Sequence, residues 1–175
     1  MKTTNIRKLT LAGIFVALSV AGSMFQIPVL GSKCAPVQHL MNIMGAVFLG
    51  PGYAVFAAFA SSLIRNLLGL GTLLAFPGSM CGALLAGLLY KYFKALPFAY
   101  VGEVFGTSII GGLLAFPVAA YILGSEVAVF AFVVPFLVST CGGTIIAIIL
   151  VTALKKSGVI DRLLESGGGH RTERV

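Results

Sequence analysis

Charge is what this chain lacks. Of its 175 residues only 10% are Asp, Glu, Lys or Arg, while 58% are hydrophobic, and mean hydropathy is +1.05. A water-soluble domain keeps about a quarter of its residues charged. So sparse a set cannot cover a surface facing water, whereas a surface facing lipid needs no such cover. Carboxylates are scarcer still: five acidic residues leave little room for a two-carboxylate active site. Cysteine is rare too, and Cys34, Cys81 and Cys141 stand far apart. That separation excludes the short spacings of zinc and redox sites. Two of the three lie inside apolar runs, where cysteine is a small buried hydrophobe.

The signatures of catalysis are missing as well. There is no Gly-x-x-x-x-Gly-Lys-Ser/Thr phosphate loop, no His-Glu-x-x-His, no Cys-x-x-Cys and no Gly-x-Ser-x-Gly elbow. If ATP drives this protein, another chain hydrolyses it. No cofactor or metal-ligand set is legible. The net charge of +7 would suit nucleic acid, but the basic residues stand singly or in pairs between apolar runs. Without a basic stripe, nucleic acid is not an expected partner.

What the chain has in quantity is apolar sequence, in six segments. A bilayer core of ~30 Å takes about 20 helical residues. The segments run from about Arg7 to Ile27, Pro36 to Leu49, Tyr53 to Leu68, Leu74 or Ser79 to Phe93, Pro97 to Leu123 and Val127 to Leu154. The first follows Lys2, Arg7 and Lys8 and has the look of a secretory signal. Only further apolar segments follow it, so Leu9 to Ile27 reads as a retained helix. Pro28, Pro36, Pro51, Pro77 and Pro97 fall at segment ends, where a missing N–H costs little. Pro117 and Pro135 fall inside segments and predict kinks. The expectation is an all-α integral membrane protein of six transmembrane helices over residues 1–156. A polar tail, 157–175, follows, with Ser166 to Val175 disordered.

Orientation follows from the positive charges. With six spans and an inside N-terminus, ten of the twelve Lys and Arg fall inside, and only Lys33 and Arg65 lie outside or in the outer half. Both termini are therefore expected in the cytoplasm, and the protein in the cell membrane.

Polar groups inside a bilayer are costly, so each is a functional candidate. Gln38, His39 and Asn42 share one broad face at the outer end of the second segment. They read as a hydrogen-bonding pocket wall, against the plainer role of interhelical glue worth roughly 0.6 kcal/mol per contact. Arg65 and Asn66 close the third segment. Arg65 lies ~21 Å along it at 1.5 Å per residue, as a ligand contact or as a structural anchor that snorkels to the head groups. Glu103 is the carboxylate inside a span, with Thr107 one turn above it. A straight-helix estimate puts Glu103 ~12 Å deeper than Arg65, which argues against a direct pair. Thr72 and Ser79 flank the ragged third link, and Thr140 lies in the sixth segment one turn before Thr144. Gly13, Ala17 and Ala21 form a small-residue stripe on the first segment, where another helix could approach closely.

The runs Gln38 to Asn42, Leu49 to Ala54, Ser62 to Asn66, Gly71 to Met80 and Gly102 to Thr107 resemble those of the ThiW family. These are substrate-binding membrane subunits, or S-components, of energy-coupling-factor (ECF) vitamin transporters. The resemblance covers roughly residues 5 to 155 and implies a six-helix S-component bundle. It implies a thiamine precursor as substrate, hydroxyethylthiazole first among them. As partners it implies a transmembrane coupling subunit, docked on the Ala17–Ala21 stripe that Gly13 extends, and two ATPase subunits. It assigns no pocket residue individually. For a thiazole, His39, Asn42 and Asn66 could bond ring nitrogen and hydroxyl, Phe76 and Tyr121 could supply rings, and the loops Gly31 to Pro36 and Gly69 to Gly78 could close over it. The competing expectations are an S-component for thiamine or the pyrimidine precursor, an assembly protein without ligand, a passive channel, and a lipid-modifying enzyme with His39 as base.

Overall fold

The structure is a computed structural model that describes residues 2–29 and 32–158, with side chains described for 5–26 and 35–158. Six helices form it: α1 Lys2–Gly22, α2 Pro36–Phe48, α3 Pro51–Leu67, α4 Ala75–Phe93, α5 Leu96–Ile122 and α6 Val133–Lys156. Two three-residue strands, β1 Ile27–Val29 and β2 Ser32–Cys34, pair antiparallel between α1 and α2. The helix count is the expected one, and the expected tail lies from residue 159 outside the described residues.

Proline sets three of the starts. Pro36, Pro51 and Pro97 sit in the first turns of α2, α3 and α5, where the N–H has no partner to lose. Gly50, at φ +86°, makes the corner between α2 and α3, a conformation that other residues adopt only at a cost.

Two boundaries differ from expectation. The first helix stops at Gly22, five residues early: the Met24 and Phe25 N–H groups turn back to the Ala21 and Gly22 carbonyls, and the chain enters β1 at Ile27. The last helix starts at Val133, since 128–132 form turns closed by Ala131 N–H to Ala128 and Val133 N–H to Phe130. Pro135 therefore stands in a first turn and kinks nothing. Pro117 does mark an irregularity. α5 winds as π-helix over Gly106–Gly111 and again over Val118–Ile122, directly after Pro117.

Packing is organised around the shortest helix. α2, 13 residues long, touches all five others. At ~20 Å it is too short to span a bilayer alone, and it is buried along most of its length. Its second half carries Ile43, Met44 and Val47 into a core with Phe15, Ala99, Ala147 and Val151. Close helix approach is built on small residues. Along the α4–α5 seam a Cβ at Gly102 would sit 2.6 Å from the Ala86 backbone. Outward, Leu67, Ile149, Val101 and Leu9 are exposed by more than half, the pattern of a lipid-facing surface. α1, α5 and α6 are each long and apolar enough to cross a membrane.

Candidate functional site

The first two turns of α2 carry Gln38, His39 and Asn42 on one face, and each of them meets polar partners on neighbouring helices. Two strings of hydrogen bonds begin there. In one, Arg65 Nη1 donates to Gln38 Oε1, Gln38 Nε2 donates to Ser62 Oγ at 3.2 Å, and Ser62 Oγ meets Ser79 Oγ at 2.9 Å. This string joins α2, α3 and α4.

The other string centres on His39. Its Nδ1 lies 2.9 Å from Glu103 Oε1 and its Nε2 lies 2.9 Å from Ser139 Oγ. Glu103 Oε1 also accepts from Asn42 Nδ2 at 3.0 Å and Thr107 Oγ1 at 3.2 Å. Glu103 Oε1 thus collects three groups able to donate to it, the ring Nδ1 among them. Ser139 Oγ in turn accepts the Ala35 N–H at 3.2 Å. Three helices, α2, α5 and α6, are thereby pinned at one imidazole. Glu103 is 0% exposed and its Oε2 has no partner. No ion pair joins it to Arg65 among the described residues.

Glycines make room for this arrangement. A Cβ at Gly82 would lie 2.1 Å from Thr107 Oγ1 and 2.7 Å from Glu103 Oε2. At Gly143, one turn beyond Ser139, a Cβ would lie 2.6 Å from His39 Cβ.

Against these strings lies a cavity of about 240 Å³, lined by residues from all but α1. Gln38, His39, Arg65, Ser79 and Ser139 give it polar walls, and Phe132 and Phe136 give it rings, whose centroids are 6.1 Å apart. Gln26 and Leu70 also border it, and Gln26 Nε2 donates to the Leu70 carbonyl at 2.6 Å. The segment after α1 is thus tied to the α3–α4 link across the cavity.

Of the residues expected at a site, Gln38, His39, Arg65, Thr72, Ser79 and Thr107 line this cavity. Asn42 and Glu103 stand behind His39. Asn66 is turned to the backbone, donating to the Ser62 and Thr72 carbonyls at 2.9 and 3.0 Å. Thr140 is 0% exposed with its hydroxyl unpartnered, and it is Ser139 that faces the cavity. The two aromatics named from sequence are elsewhere. Tyr121 is 83% exposed, and Phe76 packs on Phe59 with centroids 5.6 Å apart. Phe132 and Phe136 take their place because the turns at 128–132 swing the start of α6 over the cavity. Ser139 had one legible signal, its four-residue spacing from Gly143. The stripe Gly13, Ala17 and Ala21 is exposed on α1, and nothing lies within 4 Å of a Cβ at Gly13. The expected loop residue Gly31 lies outside the described residues.

Residues 9–157 match the family model described as thiamine-precursor transporter protein, ThiW. The chain belongs to the ThiW family. It is accordingly a membrane-embedded protein of a transporter family, and its substrate class is a small molecule, a thiamine precursor. No curated protein matches the chain at a significant level.

Proposed function

We propose that this chain is the substrate-capture subunit of an ATP-driven ECF transporter and that it takes up a thiamine precursor of the hydroxyethylthiazole type. The cavity carries this reading. At about 240 Å³ it lies below the ~300–1,000 Å³ of pockets for drug-sized ligands, which favours a one-ring precursor over two-ring thiamine. Phe132 and Phe136 offer faces to a flat ring, while Ser139 Oγ and the second amide hydrogen of Gln38 offer an acceptor and a donor for a hydroxyl and a ring nitrogen.

The Lys and Arg distribution supports both termini in the cytoplasm, which opens the cavity, at the start of α2, to the outside. The Gln26–Leu70 tie would then close it from the outer surface. The exposed Gly13–Ala17–Ala21 stripe supports docking on a transmembrane coupling subunit, with two ATPase subunits supplying the energy that this sequence has no motif to supply.

Calorimetric titration of the purified chain in detergent tests the substrate. Saturable binding of hydroxyethylthiazole, well ahead of thiamine and the B1 pyrimidine, is the expected result. Preference for either rival would discard the thiazole and keep the capture role. A folded sample that binds none of them would sink both.

A further inference from the structure

Arg65 is the one Lys, Arg, Asp or Glu residue among those lining the cavity. It sits in the closing turn of α3 and is 3% exposed. A guanidinium carries five N–H donors. Here Nη1 donates to Gln38 Oε1 and Nε is buried without a partner. No carboxylate lies within 4 Å of it among the described residues. Nor can Gln38 turn to serve it further, because its amide nitrogen is held by Ser62. The α3–α4 link fixes the side chain from behind: a Cβ at Gly71 would lie 3.3 Å from Arg65 Cβ.

A buried cation without counter-charge is costly. Such a group inside a membrane protein characteristically lines a ligand or ion path. A planar fork of donors matches the paired oxygens of a carboxylate or a phosphate. A neutral alcohol would occupy one or two donors and leave the charge uncompensated.

Resting on the capture reading above, we propose that the preferred substrate carries an anionic oxygen group, a carboxylate or a phosphate monoester, seated on Arg65. Its ring then lies toward Phe132 and Phe136, and its far end meets Ser139 and His39. The cavity has a cationic pole at Arg65 and a neutral hydrogen-bonding pole at Ser139. The ligand it fits has the complementary polarity.

The test is calorimetry on the full chain in detergent with matched neutral and anionic probes. These are hydroxyethylthiazole, its phosphate monoester and the corresponding thiazole acetic acid, then the hydroxymethylpyrimidine of vitamin B1 and its phosphate. An anionic thiazole should bind at least about tenfold more tightly than the alcohol, the scale of one charge-assisted contact. Whichever of the two anions binds more tightly identifies the source. In Arg65→Gln the preference should fall to within about threefold, and Arg65→Lys should keep part of it. If Arg65→Gln elutes as aggregate, the wild-type comparison within each matched set decides alone. A neutral thiazole that binds as tightly as its anions would overturn the inference and leave the capture reading standing. If no thiazole binds but the pyrimidine phosphate outcompetes its alcohol, the thiazole assignment falls and the anionic class stands. If no anionic probe binds, the inference is wrong.

Discussion

The two halves of α2 make opposite use of one helix. Its first turns, through Asn42, put every side-chain polar group into a bond with α3, α4, α5 or α6. Its last turns, from Ile43, contain no polar side chain and pack against alanine, valine and phenylalanine. In lipid, apolar contact between helices gains little over contact with acyl chains, so close packing and polar bonds carry the specificity of assembly. The apolar half should therefore set how tightly the bundle closes. The polar half should set which geometry it closes into, and what it binds.

The largest effect is expected from Glu103→Ala. It leaves His39 Nδ1, Asn42 and Thr107 facing a void, and each buried donor left unsatisfied costs about 1–3 kcal/mol. Thermal unfolding in detergent should show it, and Glu103→Gln should restore part of the loss. An unchanged unfolding temperature in the Ala variant would mean that the polar half does not hold the bundle together. Gly82→Ala comes next, at up to about 3 kcal/mol for an overpacked site, with ligand affinity lost as well because Glu103 and Thr107 must move. Its control is Gly13→Ala, which has open space and should leave stability unchanged or slightly raised.

Ile43→Ala probes the other half. Its cost should be about 2 kcal/mol, the low end for such a truncation because lipid competes for the same contacts. Ligand affinity in the surviving folded fraction should be unchanged. If titration instead shows affinity falling with stability, the division of labour along α2 is wrong. The smallest effect belongs to Tyr121→Ala. Its exposed ring touches no part of the cavity, so stability should move within about 0.5 kcal/mol and affinity not at all. Phe136→Ala, measured beside it, should weaken binding about tenfold or more by removing a stacking face.

The polar half was largely legible in the sequence, and the reason is physical. Gln38, His39 and Arg65 stand out where polar groups are costly, so composition alone marks them. Gly13, Ala17 and Ala21, picked out by spacing, lie exposed on α1. The rings were not legible, because hydropathy cannot tell which phenylalanine in an apolar stretch turns inward. Phe76 and Tyr121 sit beside polar markers, yet Phe132 and Phe136 reach the cavity. The ends of α1 and α6 were missed for a related cause. Met24, Phe25, Val129 and Phe130 are exposed apolar residues in turns, and beside lipid a turn need not become hydrophilic. Ser139 was passed over for its neighbour Thr140, since adjacent residues differ by ~100° on a helix and depth does not record azimuth.

The π-wound stretch Gly106–Gly111 has a consequence for lineages of this sequence. A π-turn holds one residue more than the α-turn it replaces. Deleting a single codon within it would let the helix rejoin as ordinary α with its backbone hydrogen bonds intact. Because the wide turn already absorbs that extra residue, the segments on either side would keep nearly their relative rotation, and Glu103 would still face His39 while Ala115 and Ala119 kept their places. The same loss from regular α-helix on either side would rotate one half against the other by ~100°. This turn is therefore where the helix can change length by one residue and keep its site.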